Sequence, residues 1–249
     1  MKHRKKVYII FFVVIFCTTM LVILGRYALY GGYIRLNYPS LTEYPVQGID
    51  ISHHQQYVDW DRIDKAKVTF AFMKATEGAA HVDSLFDYNL NNARRLGIAQ
   101  GAYHYFSFCK TGEEQAENFL SVVRQSGSEI IPIIDLEYSG NCMEENRVDD
   151  IMYEAETFIR IVELELKTRV LVYTTNEFYE NNLLNKLPDN PIWIRDIIKK
   201  PKLSDGRAWL FWQYTNRGKL DGIRAFVDLN AFYGSKSEFD DWMSNLRME

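Results

Sequence analysis

The chain of 249 residues contains few of the residues that mark fibrous, repetitive or unfolded proteins. Only 14 glycines and 6 prolines are present, which excludes a collagen-like or low-complexity chain. Its 15 phenylalanines and 16 tyrosines, together with a formal charge of only −4, exclude intrinsic disorder. The length instead fits one large folded domain, or two small ones, with a packed core.

Residues 27–249 contain more acidic than basic side chains. They hold 24 of the 29 lysines and arginines and all 33 aspartates and glutamates, which gives this part of the chain a formal charge of −9. A protein that binds nucleic acid needs a basic footprint on its surface. The sequence therefore predicts no nucleic-acid partner.

One long apolar run lies near the N-terminus. Residues 7–24 contain no charged side chain, and 18 helical residues at about 1.5 Å each cross most of a hydrocarbon core of roughly 30 Å. No small-residue cleavage site follows, which favours an uncleaved anchor over a signal peptide. Because Lys2, Arg4, Lys5 and Lys6 precede the run, we expect a single-pass protein of the cell membrane with a cytoplasmic N-terminus and an extracytoplasmic remainder.

The sequence predicts three parts: a basic tail with a transmembrane anchor over residues 1–26, a stalk over 27–46 and one domain over 47–249. Short apolar, β-rich runs fill this domain, as expected for strands that are covered on both faces. The predicted strands are residues 48–52, 68–75, 98–106, 130–137, 169–174, 191–196, 209–214 and 226–232.

Amphipathic patterns between the early strands predict helices, whereas the gaps between the last three strands show none. The predicted helices cover residues 84–96, 111–127, 149–166 and 177–184. This order indicates an α/β fold, a TIM-like barrel in which helices follow the first five strands and loops join the last three. The chemistry of such barrels lies at the carboxyl ends of the strands.

Acidic residues lie at the ends of three predicted strands. Asp135 and Glu137 close one apolar run, and a period of two places both on the same face. Asp50 and Asp228 lie within apolar strand sequence, where an unpaired carboxylate is costly, so a purely structural hydrogen-bonding role is the alternative for each. Carboxyls this close raise one another's pKa, an arrangement that glycosidases use. The Asp-x-Glu spacing alone also fits a strand that simply enters solvent.

Polar and aromatic residues end the other strands and complete the predicted cleft. These candidate substrate-binding residues are Tyr103, Tyr105, Tyr173, Trp193, Arg195 and Gln213. Core packing is an alternative role for the aromatic residues. Metal binding by the acids with His53, His54 and His104 is disfavoured, because His53 and His54 are expected to point to opposite faces of an extended chain. We therefore expect no metal and no cofactor.

The three cysteines differ in their expected surroundings. Cys17 lies in the apolar run, whereas Cys109 and Cys142 follow the third and fourth strands at the same end of the barrel. Adjacent strands bring such loops close together, and an extracytoplasmic compartment is oxidising. A disulfide between Cys109 and Cys142 is therefore predicted, with two free thiols as the alternative.

Six short segments occur in an order that resembles a known family. They are GIDIS (48–52), FAFMKATEG (70–78), GAYHYF (101–106), PIIDLE (132–137), FWQYT (211–215) and VDLN (227–230). Together they resemble the family 25 glycoside hydrolases, lysozymes also called Chalaropsis-type muramidases, over about residues 47–235. The resemblance implies a (β/α)5(β)3 barrel and metal-free hydrolysis of the β-1,4 bond between N-acetylmuramic acid and N-acetylglucosamine in peptidoglycan.

The resemblance also implies roles for the candidate residues. Glu137 would be the general acid, Asp135, Asp50 and Asp228 the supporting carboxylates, and Tyr103, Tyr105, Tyr173 and Gln213 part of the cleft lining. One departure from the family pattern is Trp193-Ile194-Arg195-Asp196. Arg195 and Asp196 at the cleft edge would alter sugar or peptide preference, or would form a rim ion pair without a catalytic role.

Three functions fit these observations. A membrane-anchored peptidoglycan muramidase is favoured because all four acids are present. The alternatives are a non-catalytic glycan-binding or scaffold protein on the same fold and a hydrolase of another N-acetylated glycan such as chitin.

Overall fold

The computed structural model describes residues 2–124, 130–142 and 150–246. The chain divides into two compact units, Met1–Arg35 and Leu36–Glu249. The first unit contains one helix, α1 (Lys2–Tyr30). Its segment Arg4–Tyr30 is long and apolar enough, by length and composition, to cross a membrane.

The second unit is built on a sheet that closes into a barrel of eight strands. The strands are β1 (Gln47–Ile51), β2 (Phe70–Glu77), β3 (His81–Val82), β4 (Ala99–Tyr105), β5 (Ile131–Leu136), β6 (Leu171–Thr175), β7 (Ile192–Arg195), β8 (Phe211–Gly218) and β9 (Val227–Phe232). Neighbours in the ring are parallel from β1 through β2 and β4 to β8, and β9 closes it antiparallel to both β8 and β1. The two-residue β3 pairs with β2 outside the ring. All eight strands predicted from the sequence are confirmed, and together they form this barrel.

Helices follow several of the strands, and most of them begin at a side-chain cap. They are α2 (Phe86–Arg95), α3 (Gly112–Val123), α4 (Ile151–Leu166), α5 (Asn176–Phe178), which continues into a π-helix (Tyr179–Leu183), and α6 (Lys236–Ser244). The Thr111 hydroxyl accepts a hydrogen bond from the Glu114 backbone at the start of α3, as its capping box predicts. The Asp150 carboxylate likewise caps α4.

Two helical predictions need correction. The first strand is not followed by an α-helix: residues 52–69, all of which the structure describes, contain only the 3₁₀ helices His53–Gln55 and Trp60–Arg62. Their apolar residues are too few and too irregularly spaced to form a helical stripe. Helix α6 was missed, although Ser235 and Glu238 form a capping box at its start.

The barrel interior is filled with large apolar side chains up to its carboxyl end. These side chains occupy alternate strand positions: Val46, Phe70, Phe72, Ile131, Ile133, Leu171, Tyr173, Trp193, Phe211 and Phe232. Phe239 of α6 packs on them and closes the amino end. A Cβ at Gly101 would lie 2.6 Å from Phe72, so this interior position requires glycine. Polar side chains are thereby confined to the carboxyl end.

The folded unit begins at Leu36, before the boundary at residue 47 that the sequence predicts. Tyr44 is buried and stacks on Trp209, with their ring centroids 6.2 Å apart. The Asn37 side chain donates a hydrogen bond of 3.3 Å to the backbone oxygen of Asp196. Residues 36–46 of the predicted stalk therefore pack on the barrel.

A disulfide joins Cys109 and Cys142 in the loops that follow β4 and β5. The Asn141 side chain ties the same loops, because its Nδ2 donates to the backbone oxygens of Phe106 at 2.8 Å and Glu137 at 3.0 Å. The covalent link and these hydrogen bonds together hold the segment that follows Glu137.

Replacing both Cys109 and Cys142 with serine should lower the free energy of unfolding by about 3–4 kcal/mol, because the unfolded chain regains the entropy of an open loop of 33 residues. Chemical denaturation of the full chain measures the change. Cys17→Ser, which touches no disulfide, is the matched control and should leave stability unchanged. Equal unfolding midpoints for the double variant and the unmodified chain would contradict the prediction.

Candidate active site

All ten side chains predicted for the cleft line one cavity of about 290 Å³ at the carboxyl end of the barrel. They are Asp50, Tyr103, Tyr105, Asp135, Glu137, Tyr173, Trp193, Arg195, Gln213 and Asp228. Ser52, His54, Lys74, Ser139 and Asn216 complete the lining. A larger surface cavity of about 650 Å³ lies beside α6 and contains one acid, Asp240, which is paired with Lys236. The acidic cavity is therefore the candidate active site.

Asp50 is held by two buried amides. Its Oδ2 accepts a hydrogen bond of 2.9 Å from Gln213 Nε2 and one of 2.7 Å from Asn230 Nδ2. The Tyr173 hydroxyl donates to Gln213 Oε1 at 3.0 Å, and Trp193 Nε1 donates to Asn230 Oδ1 at 2.8 Å. Each amide oxygen is thereby occupied, so each amide nitrogen faces Asp50.

Asn230 is a site residue that the sequence analysis missed. It is fully buried on β9, and its backbone lies opposite Gly48 while Asp228 lies opposite Asp50. The signal was its place in VDLN, two residues after Asp228 and hence on the same face of the strand.

Burial raises the pKa of all four acids. It raises the pKa of Asp50 to about 6, against the lowering effect of the Asn230 and Gln213 hydrogen bonds. The pKa values of Asp135 and Asp228 are raised well above the ordinary range, first by burial and then by the charges of Glu137 and Asp50 respectively. Because ionising several of these neighbours together is unfavourable, the cavity retains protons at pH values where exposed carboxyls have lost theirs.

Glu137 is half-buried, like Asp228, whereas Asp50 and Asp135 are buried, and its side chain lines the cavity. Burial raises its pKa, the Arg195 guanidinium lowers it and the charge of Asp50 raises it again. Asp135, two residues earlier, has one buried oxygen, Oδ1, without a hydrogen-bond partner among the described residues. That oxygen therefore lacks the hydrogen bond that a buried carboxyl oxygen normally has.

Two cations face these acids. Lys74, which the sequence analysis also missed, is buried and pairs with Glu77 Oε2 at 2.6 Å, and its Nζ lies 4.9 Å from the centre of the Tyr105 ring. Its signal was a lone lysine inside an apolar strand. Arg195 lines the cavity, whereas the carboxylate of Asp196 accepts hydrogen bonds from Asn176 Nδ2 and from backbone amides. Arg195 is thus directed at the acids and not at Asp196.

The histidines have other partners. His53 and His54 lie on a 3₁₀ helix with ring centroids 4.1 Å apart, so the expectation that an extended backbone separates them was wrong. His53 Nδ1 contacts Asp83 Oδ2 at 2.7 Å. His104 is buried outside the barrel, where burial lowers its pKa to about 4. Among the described residues, no group of three or more His, Cys, Asp or Glu side chains is arranged to hold a metal ion.

Comparison with known proteins places this site in a family context. The family model described as glycosyl hydrolases family 25 matches residues 49–223. The chain is 32% identical over 211 residues to the Escherichia coli (strain K12) protein named "Uncharacterized protein YegX", covering 83% of this chain and 76% of that protein. It is 30% identical over 209 residues to "Lysozyme M1" of Streptomyces globisporus, covering 76% of this chain and 68% of that protein. The solved structure of a family 25 glycosyl hydrolase from Bacillus anthracis has a TM-score of 0.75 and 38% identity, covering 84% of this chain and 97% of that one.

The raised pKa of Asp50 predicts a pH-dependent stability penalty. Its pKa is 3.8 in an unfolded chain and about 6 in the fold, so the penalty is absent below about pH 4 and complete above about pH 6. Asp50→Asn should therefore raise the free energy of unfolding at pH 7 by up to about 3 kcal/mol, at about 1.4 kcal/mol for each unit of pKa, and should change little at pH 4. Denaturant titrations at both pH values test this. Asp221→Asn, at a side chain that is 86% exposed, is the control, and an equal effect of Asp50→Asn at both pH values would exclude the burial argument.

Proposed function

The chain belongs to glycosyl hydrolase family 25 and is a glycosidase of the lysozyme type, and from that premise we propose a membrane-anchored N-acetylmuramidase with Glu137 as its general acid. The bond to be cleaved is the β-1,4 link between N-acetylmuramic acid and N-acetylglucosamine in peptidoglycan. The observation that carries this proposal is the cluster of four acids with raised pKa values at one mouth of the barrel.

Glu137 is suited to donate the proton. It directly follows β5 and lines the cavity. Because its pKa is raised, its carboxyl stays protonated to a higher pH than the carboxyl of an exposed glutamate. Asn141 holds its backbone oxygen at 3.0 Å, within the loop that the disulfide closes. These contacts position the carboxyl to protonate the leaving oxygen of a glycosidic bond.

Asp135 supports a different step. Because it lies on β5 only two residues before Glu137 and both side chains line the same cavity, the two carboxyls cannot flank a sugar ring from opposite sides as acid and nucleophile. We assign the attack on C1 to the carbonyl oxygen of the substrate's own N-acetyl group, with the carboxyl of Asp135, which lines the cavity, accepting the N-acetyl N–H. The C1–O bond breaks as Glu137 gives its proton to the departing oxygen. The attack closes a five-membered oxazolinium ring between the N-acetyl group and C1. Water then adds to C1, the bond between C1 and the N-acetyl oxygen breaks, and the proton that water loses returns to Glu137.

The remaining polar residues shape the cavity around the sugar. Asp50 and Asp228 lie opposite each other on β1 and β9. Asp50, whose pKa of about 6 is below neutral pH, supplies negative charge near the oxocarbenium-like centre. Burial raises the pKa of the Tyr103 and Tyr173 phenols well above the ordinary value, so both remain hydrogen-bond donors. Tyr105 donates to the backbone oxygen of Ser139 at 2.6 Å and forms part of the rim.

The anchoring part of the proposal rests on α1. Its apolar segment follows four basic residues, and its described side chains are almost all exposed, as expected for a helix whose surroundings are lipid. We propose three parts: the anchor in residues 1–26, a short connection up to residue 35, and the catalytic unit from Leu36 onward. The enzyme is then held on the extracytoplasmic side of the cell membrane.

Glu137→Gln keeps the shape of the side chain and removes its transferable proton. Release of muropeptides from purified peptidoglycan should fall at least about 100-fold, as measured by mass spectrometry of the products. Asp135→Asn should also be severely impaired and Arg195→Ala less so, while Glu156→Gln on the surface of α4 is the matched control. Near-normal release by Glu137→Gln would overturn the assignment. Products formed from chitin oligomers but not from peptidoglycan would favour the other glycan, and no products from either would favour a glycan-binding protein.

Arg195→Gln should move the alkaline limb of the pH profile of kcat/KM to higher pH. The Arg195 guanidinium lowers the pKa of Glu137, so its removal raises that pKa, and activity that needs the protonated acid persists to higher pH. Arg160→Gln, an exposed change on α4, should leave the limb in place. A limb that stays fixed or moves to lower pH in Arg195→Gln would argue against Glu137 as the titrating acid.

Fusions after Glu249 test the topology. A reporter that is active only outside the cytoplasm should be active there, and a reporter that is active only in the cytoplasm should be silent at the same position. The opposite pattern, or the release of a shorter soluble protein, would contradict the anchor.

A further inference from the structure

A surface beside the cleft combines exposed apolar side chains with lysines. Residues 36–44 and 196–202 run alongside each other, held by the Asn37–Asp196 hydrogen bond and by the ion pair of Glu43 with Lys200 at 3.0 Å. Leu36 and Leu41 on one segment and Ile198 on the other are 59%, 53% and 68% exposed. Exposed apolar side chains grouped in this way are typical of an interaction site.

The charge at this surface is opposite to that of the unit as a whole. Ile198 is followed by Lys199, Lys200 and Lys202, all exposed, although residues 27–249 carry a formal charge of −9. Lys200 is paired with Glu43, whereas Lys199 and Lys202 form no ion pair with any described residue. Lysines beside apolar side chains are the combination that binds the interface of an anionic membrane.

The place of this surface in the chain favours a membrane over another partner. Leu36 follows the end of α1 at Tyr30 by six residues, which span at most about 20 Å when fully extended. The surface also adjoins the cleft, because Asp196 directly follows Arg195 and Arg195 lines the cavity. A membrane crossed by α1 is therefore always within reach of it.

We propose that the surface formed by Leu36, Leu41, Ile198, Lys199 and Lys202, here called the docking surface, binds the anionic lipid headgroups of the membrane that α1 crosses. This inference rests on the proposed anchor. It places the Arg195 rim of the cleft at the membrane, with the opposite end of the barrel directed away. The enzyme then cleaves glycan strands that lie close to the membrane surface.

Depth-dependent quenching in vesicles tests the docking surface. The full chain with Cys17→Ser is reconstituted into vesicles of phosphatidylglycerol and phosphatidylcholine, and an environment-sensitive dye is attached to Leu41→Cys or Ile198→Cys, the other two cysteines being disulfide-bonded. Leu164→Cys is the matched control, since Leu164 is 58% exposed and lies in the last turn of α4, away from both segments. Spin-labelled lipids should quench the dyes at 41 and 198 and leave the dye at 164 unaffected.

A charge-reversal variant tests how much the lysines of the docking surface contribute to lipid binding. Reversal of both lysines, Lys199→Glu with Lys202→Glu, should reduce quenching at position 198 at least about twofold, whereas Lys65→Glu with Lys67→Glu should not. Vesicles that float with the protein while the dyes at 41 and 198 stay unquenched would overturn the docking surface and keep the anchor. Protein that fails to float with the vesicles would overturn both. Equal quenching at all three positions would also overturn the proposal, because no defined face would then contact lipid.

Discussion

The burial of four carboxyls at one mouth of the barrel is the constraint on which the site depends. Aromatic and aliphatic side chains fill the interior below them, so water reaches these acids from one side only. Neutral amides, Gln213 and Asn230, satisfy Asp50 without adding a compensating charge. The acids therefore keep raised pKa values, which a pairing arginine on each would have abolished. Burying these carboxyls lowers the stability of the fold, but it also gives them the raised pKa values that proton transfer requires.

The sequence predicts the barrel well because each strand carries its own signal. Eight apolar runs and a period of two place all ten predicted side chains on one cavity without any knowledge of the tertiary contacts. Lys74 and Asn230 escaped this reasoning, although a lysine inside an apolar run and an asparagine two residues after Asp228 were visible signals, because the partners that give them a role, Glu77 and Asp50, are identified only in the structure. His53 and His54 were misjudged for a local reason: the chain leaves β1 through a 3₁₀ turn that Ser52 caps. Helix α6 was overlooked because it is short, although its capping box marks its start.

The first residues of the folded unit and the active site lie at the same end of the barrel. Residues 36–44, which follow the apolar helix in the chain, pack beside the loop after β7, whose preceding residue Arg195 lines the cavity. The disulfide at this end also fits an oxidising compartment. The first residues of the folded unit thus adjoin the cleft. Under the proposed anchoring, the reach of the enzyme would be set by where its chain leaves the membrane, and a tether would serve an acidic domain that gains little from free diffusion onto anionic wall polymers.

The central claim is that burial keeps Glu137 protonated at a pH where an exposed glutamate has ionised. A carbon-13 NMR titration of its carboxyl measures this directly, with the signal assigned by its loss in Glu137→Gln. We expect a midpoint above the ordinary value of 4.5, which falls when Asp50→Asn removes a neighbouring negative charge. A midpoint at or below 4.5 in the unmodified chain would contradict the account.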